Sequence, residues 1–236
     1  MGIIVGMSGG YSEPVEDFIV KLANKNKPRI LFIPTASGDS PGYIISLYND
    51  FVVKRGCKAD FLALSYKNLT DEDIKRKILS ADIIYVGGGS AYNMLETWRK
   101  FKVDEYIREA YKGDVVLSGT SAGAICWFAY GNGDSNFYRD GRVLKYRKVV
   151  GTGLVNTICF PHYFTDADFL FEKLMRFYDV PAIALSDNAS ILIENDKYLI
   201  LRTDKEAKAY LFRNKNGVIT KRSIVKEEMT PLKDLL

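Results

Sequence analysis

Two features of this sequence could together do chemistry on a carbonyl. The first is Gly119-Thr120-Ser121-Ala122-Gly123, a G-x-S-x-G pentapeptide preceded by the apolar run Val115 to Leu117 and followed by Ala124-Ile125. Read as strand, sharp turn and helix start, it is a nucleophile elbow, which holds a serine hydroxyl above the end of a sheet. Small residues are needed because the turn strains the nucleophile's backbone and brings strand and helix close together. The helix N-terminus also aims backbone N–H groups at negative charge forming beside Ser121. The competing reading is an ordinary strand-to-helix turn with an incidental serine, since the pentapeptide alone is common.

The second feature is a histidine. A serine nucleophile needs a base, and the chain holds one histidine. His162 follows an apolar strand and a proline in Cys159-Phe160-Pro161-His162-Tyr163-Phe164, which suits display at a strand end. A lone histidine is more often structural, but the elbow makes a demand that His162 meets, and no lysine-dyad motif competes for it. A carboxylate must then hold the imidazole in the right tautomer. Two stand in loops, Asp134 in Gly131-Asn132-Gly133-Asp134-Ser135 and Asp187 in Ala184-Leu185-Ser186-Asp187-Asn188. Either could equally be a simple turn aspartate. For an oxyanion, the N–H of Ala122 supplies one donor and the Gly87-Gly88-Gly89 run the second. That run lacks both a following Lys-Ser/Thr and a G-x-G-x-x-G pattern, so a nucleotide-phosphate role ranks last.

The elements that must position these residues alternate. Ile3–Val5, Arg29–Ile33, Asp60–Leu64, Asp82–Val86 and Asp114–Leu117 read as strands. Pro14–Asn24, Ile44–Lys54, Thr70–Ser80 and Met94–Tyr111 read as helices between them, the last as one or two. Repeated βαβ units imply a parallel sheet with helices on both faces, and ligands in such sheets sit beyond the carboxyl ends of the strands. In the second half, Tyr130–Asp140 reads as loop, Val143–Val150, Val155–Cys159 and Ala182–Leu185 as strands, and Asp166–Tyr178 as a helix. The stripe expected on that helix is Phe169, Leu170, Lys173, Leu174 and Phe177. Two hairpins follow, turning at Asn195-Asp196-Lys197 and at Asn214 to Gly217.

Composition excludes several classes. The 236 residues carry 33 basic and 29 acidic side chains, mixed along the chain, so nothing calls for nucleic acid or an anionic membrane. No apolar stretch approaches the roughly 18 residues of a membrane span, and the N-terminus lacks a secretory leader. Cys57, Cys126 and Cys159 are widely spaced and read as reduced interior thiols. One cytoplasmic domain spanning 1–236 is expected, with no metal and no cofactor.

Five short matches in order carry a resemblance: Phe32-Ile33-Pro34-Thr35-Ala36-Ser37, Val86-Gly87-Gly88-Gly89-Ser90, Gly119 to Ala124, Pro161-His162-Tyr163 and Asp187-Asn188-Ala189. The chain resembles the peptidase E family, aspartyl dipeptidases and the related cyanophycinases. The resemblance implies a class I glutamine-amidotransferase-like α/β three-layer sandwich with a mostly parallel central sheet, here with C-terminal β-hairpins. It implies Ser121 as nucleophile, His162 as general base, Gly89 and Ala122 as oxyanion donors, and Gly88 and Ser90 beside the substrate. Three departures stand out. Ser90 replaces the asparagine usual after the glycine triplet. Aspartyl dipeptidases carry their triad acid where Asp134 loosely maps, whereas cyanophycinases use a glutamate at the position of Asp187, to which the neighbouring residues match better. The arginine that reads an acidic substrate side chain has no clean counterpart; Lys173 and Arg176 share the helix but not the motif.

The expectation is therefore a serine peptidase acting on small peptides, dipeptidase-like, with no nucleic-acid or membrane partner and with a homodimer left open. The alternatives are a non-catalytic ligand- or partner-binding protein on the same scaffold, and a non-peptidase amide or ester hydrolase.

Overall fold

The computed structural model describes residues 2–66, 69–133, 147–165, 168–226 and 228–236. In the first half, five short apolar strands alternate with helices. The strands are β1 (Ile3–Met7), β2 (Arg29–Ile33), β3 (Lys58–Phe61), β4 (Ile83–Val86) and β5 (Val116–Thr120). The helices are α1 (Glu13–Leu22), α2 (Pro41–Tyr48), α3 (Asp71–Leu79), α4 (Ala91–Lys100) and α5 (Val103–Ala110). The elbow helix α6 (Ala122–Ile125) is a single turn. Then come β6 (Phe128–Gly133), β7 (Arg147–Val150), β8 (Val155–Phe160), α7 (Asp168–Met175) and β9 (Ala182–Leu185). The chain ends with β10 (Ala189–Glu194), β11 (Lys197–Arg202), β12 (Ala209–Lys215), β13 (Val218–Ser223) and β14 (Thr230–Pro231).

Among the described residues these strands form two sheets, ordered β14-β11-β10-β1-β5-β4-β2-β3 and β13-β12-β9-β8-β6-β7. From β1 to β3 every pairing in the first sheet is parallel. The hairpin β10–β11 extends that sheet antiparallel beside β1, and the hairpin β12–β13 extends the second sheet beside β9. The α/β class, the mostly parallel sheet and both C-terminal hairpins thus stand as expected. The addition is the second sheet. Its cause lies at the elbow: four helical residues cannot make the crossover of about 10–12 that returns a strand to the same sheet, so β6 starts a new one.

Side chains alternate across the first sheet as strand geometry requires. Leu31, Ile33, Ile84, Val86 and Leu117 pack with Ile74, Ile78, Trp98 and Ile107 on one face. Ile30, Phe32, Tyr85 and Val116 pack with Val15, Ile19, Leu47 and Phe51 on the other. Thr70 starts α3 with a complete capping box, its Oγ1 accepting from Asp73 N–H while Asp73 bonds back.

Several boundaries differ from the sequence reading. The long helical stretch to Tyr111 splits at Lys102, whose φ of 55° interrupts α4 and α5. The expected helix to Lys54 ends at Tyr48 and continues as a π-helical turn, Asn49–Val53. Pairing with β2 moves the third strand to Lys58–Phe61. Part of the expected loop, up to Gly133, is strand β6; its remainder to Asp140, and the start of the strand expected from Val143, lie outside the described residues. The stripe expected on α7 holds only at Leu174, which packs against the second-sheet core, while Lys173 is exposed and the Leu170 side chain lies outside what is described. Phe169 and Phe177 are exposed, whereas Phe171, Met175 and Tyr178 are buried against Ile158, Phe160 and Phe212 of the second sheet. The decisive contact is aromatic: Phe171 stacks on Phe212 and meets Phe160 edge-on.

Candidate active site

Ser121 directly follows β5, which lies in the middle of the first sheet between β1 and β4. Its backbone stands at φ 55°, ψ −111°, a conformation sterics deny to most non-glycine residues. The strain is held by a backbone bond from Ser121 N–H to the Met7 carbonyl (2.9 Å) and by the Ser121 carbonyl accepting from Ala124 and Ile125. The flanking glycines are sterically required. A Cβ on Gly119 would lie 2.6 Å from the Val86 and Gly123 carbonyl oxygens, and one on Gly123 would lie 2.1 Å from that of Val86. Strand-to-helix contact this close admits no side chain.

His162 and Asp187 come from the second sheet. β8 and β9 run parallel with Phe160 opposite Ala184, so both chains leave the same sheet edge. The turn Ser186-Asp187-Asn188 then carries the chain from β9 to β10, that is, from the second sheet to the first. This register brings the His162 Nδ1 within 2.7 Å of Asp187 Oδ1, while Nε2 lies 2.9 Å from Ser121 Oγ. The imidazole thus bridges a carboxylate and a hydroxyl, with its side chain 48% and that of Asp187 57% exposed. With Nδ1 donating to Asp187, Nε2 is left as acceptor for the Ser121 proton, the tautomer a general base needs.

The glycine turn after β4 lies alongside. A Cβ built on Gly88 would stand 3.6 Å from Ser121 Cβ. The Gly88 N–H donates to the Tyr43 hydroxyl (3.2 Å), which burial holds above the ordinary tyrosine pKa and hence protonated near neutrality. Gly89 has φ 136°, and a Cβ there would strike the Ala36 carbonyl at 2.2 Å. Ser90 donates its N–H to that same carbonyl (2.8 Å), and its hydroxyl accepts from Asn93 N–H (3.3 Å) as the N-cap of α4. Among the described residues no hydrogen bond from the Gly89 N–H is found, and Ala122, first residue of α6, has no intrahelical acceptor. A histidine-bonded serine at a helix start, with a glycine turn alongside it, is the kind of arrangement that can form and stabilise a tetrahedral acyl-transfer intermediate.

The model of peptidase family S51 matches residues 3–201. The chain belongs to peptidase family S51. It is accordingly a serine-type peptidase, a hydrolase. This S51 chain is 35% identical over 217 residues to the Bacillus subtilis (strain 168) peptidase YgaJ, covering 88% of the chain and 90% of that protein. It is 28% identical over 192 residues to peptidase PM1590 of Pasteurella multocida (strain Pm70), covering 78% and 88%. A peptidase from an acI-B1 Actinobacterium superposes with a TM-score of 0.72 at 19% identity, over 98% of this chain and 97% of its own. A candidate peptidase E from Listeria monocytogenes EGD-e superposes with a TM-score of 0.64, also at 19% identity, over 86% and 100%. At that identity the two crystal structures establish the fold.

Of the expected site residues, His162 bonds both Ser121 and Asp187, Gly88 lies beside Ser121, Ala122 follows it in the chain, and Gly89 and Ser90 continue the turn from Gly88 against the Ala36 carbonyl. Asp134 lies outside the described residues. Lys173 lies on the exposed side of α7 and Arg176 just beyond its end, exposed as well. The sequence reading missed the loop after β1. Asn188 donates its N–H to the Gly9 carbonyl (2.9 Å), and its side-chain oxygen accepts from Tyr11 N–H (2.7 Å). A Cβ on Gly9 would meet the His162 ring at 2.6 Å and Asp187 Oδ1 at 2.9 Å. The available signal was Gly9-Gly10, two glycines one residue after a buried strand. Tyr43 left no signal. Cys57, Cys126 and Cys159 are free and buried, and burial raises all three thiol pKa values, so none is a nucleophile here. Among the described residues no group of three or more His, Cys, Asp or Glu could hold a metal ion, and no helix is long and apolar enough to cross a membrane.

Proposed function

We propose that this S51 peptidase hydrolyses small peptides, dipeptide-like in size, through an acyl-enzyme on Ser121. Ser121 Oγ attacks the scissile carbonyl carbon while His162 Nε2 takes the hydroxyl proton. Asp187 holds the imidazole by its Nδ1–H and stabilises the imidazolium that forms. The N–H groups of Gly89 and Ala122 receive the oxyanion, each such donor being worth about 3–4 kcal/mol in the transition state. Collapse breaks the C–N bond, and the leaving amine takes the proton from His162. Water, activated by the same imidazole, then releases the acid and regenerates Ser121. Gly88 faces the substrate through its backbone, and Ser90 serves by capping α4 and thereby holding the turn. The whole chain acts as one cytoplasmic domain needing no metal or organic cofactor, with a homodimer as the assembly to test.

The observation that carries this reading is the unbroken line Asp187 Oδ1, His162 Nδ1, His162 Nε2, Ser121 Oγ, with spacings of 2.7 and 2.9 Å. Asp187 is preferred to Asp134 on that contact. The test is a panel of dipeptides varied at the first residue, run beside matched amides and esters, with parent enzyme and Ser121→Ala. Dipeptide hydrolysis abolished in the variant is expected. Cleavage of esters or non-peptide amides alone would replace the peptide substrate class, and dipeptide hydrolysis surviving in Ser121→Ala would end the Ser121 mechanism.

A further inference from the structure

The serine and the histidine of the proposed triad belong to different sheets, so something must fix one sheet against the other at this point. Ser8, the first residue beyond β1, is fully buried. Its Oγ accepts a hydrogen bond from the His162 backbone N–H at 2.6 Å and donates to the Leu185 carbonyl at 2.9 Å. Its own N–H donates to the Ala189 carbonyl at 3.1 Å. One hydroxyl thus ties the end of β1, whose Met7 carbonyl also holds Ser121, to the ends of both β8 and β9. His162 needs such a tie, because its backbone sits at φ 56°, in the left-handed region that few residues bearing a side chain adopt. Gly9, the next residue, packs against the imidazole itself with no room for a side chain.

We infer that Ser8 is a positioning residue for catalysis: its buried hydroxyl sets where the His162 imidazole stands between Asp187 and Ser121. The inference rests on the Ser121–His162 reading above for its kinetic consequence, but not for its spectroscopic one. Removing the hydroxyl leaves the part-buried His162 N–H without its acceptor and frees the loop to shift. A displacement near 1 Å at a reacting group costs on the order of a hundredfold in rate. The loss falls on kcat, since the imidazole acts in the transition state and does not hold the ground-state substrate.

The experiment compares the parent chain with Ser8→Ala by steady-state kinetics on a dipeptide amide and by proton NMR of the imidazole. His162 is the one histidine in the chain, so its ring resonances are assigned without ambiguity. The expected result is a roughly ten- to hundredfold fall in kcat with KM within about twofold, and a downfield Nδ1–H signal weakened or lost to exchange. A kcat within twofold of the parent, or a variant of lower stability whose imidazole signal is unchanged, overturns the role. Should Ser8→Ala fail to fold, Ser8→Cys keeps a side chain of similar size while weakening both bonds, and the same two readouts decide. Hydrolysis surviving Ser121→Ala would sink the mechanism instead, and the imidazole signal would still judge Ser8.

Discussion

Replacing Asp187 by Asn keeps the shape of the side chain and removes its charge. The carboxylate contacts His162 Nδ1 at 2.7 Å, and both side chains are about half exposed. Opposite charges about 4 Å apart attract by about 1 kcal/mol in bulk water and about 4 kcal/mol near a protein surface. A half-exposed pair falls between, at about 2–3 kcal/mol of imidazolium stabilisation lost. At about 1.36 kcal/mol per decade this is a fall of roughly 30- to 150-fold in kcat. In a chymotrypsin-type triad the same change costs roughly 10⁴-fold because the amide leaves the imidazole in the wrong tautomer, so the charge loss worked out here is the minimum effect. The rate of Ser121 labelling by a fluorophosphonate should drop in parallel, because it depends on the same base. The assay is kcat on a dipeptide amide with labelling followed by mass. A variant within threefold of the parent in both would refute the assignment of Asp187 as orienting acid.

Three further outcomes follow from the same geometry. Gly123→Ala drives a Cβ to 2.1 Å from the Val86 carbonyl and should cost about 1–3 kcal/mol, several degrees in Tm by thermal denaturation. Gly89→Ala, set against φ 136° and the Ala36 carbonyl, should displace the proposed oxyanion N–H and lower kcat about a hundredfold or more while the far-UV spectrum stays unchanged. Thr70→Ala removes the cap of α3 and should lower Tm by about 2–4 °C, roughly 1 kcal/mol. The Arg76 guanidinium, and then the Thr70 hydroxyl, hold Asp73 below its ordinary 3.8, at about 2. A depressed carboxyl stabilises the fold above its unfolded value and loses that as pH falls through the folded one. The Tm difference between parent and Thr70→Ala should therefore narrow as pH drops from about 4 toward 2, and a constant gap would contradict the capping role of Asp73.

What could be read directly from the sequence was local chemistry. The G-x-S-x-G run after an apolar strand suggested its own geometry, and the structure gives the reason for its glycines: a Cβ at 119 or 123 would strike the Val86 carbonyl. The alternation of apolar strands with helices from Ile3 to Thr120 likewise encodes a parallel sheet in short-range periodicity. The acid was favoured only by resemblance, through the residues beside Asp187, and not by any local geometry. Asp187 meets His162 through the parallel register of β8 and β9 and the turn that switches sheets, both long-range pairings without a sequence signal. The α7 stripe failed at Phe169 and Phe177 for a related reason, although Leu174 packs inward as expected. Helical spacing allowed either Phe169 and Phe177 or Phe171, Met175 and Tyr178 to face inward, and the aromatic partners on β8 and β12 chose the second set. Ser8 is a single hydroxyl whose partners lie at His162 and Leu185, so nothing near it in the sequence could mark it.

The most direct test of the central claim is intact-protein and peptide mass spectrometry after reaction with a fluorophosphonate. One adduct, mapped to Ser121 and absent in both Ser121→Ala and His162→Ala, is the expected result. An adduct on another residue, or labelling of Ser121 at an undiminished rate without His162, would contradict a serine activated by the chain's one imidazole.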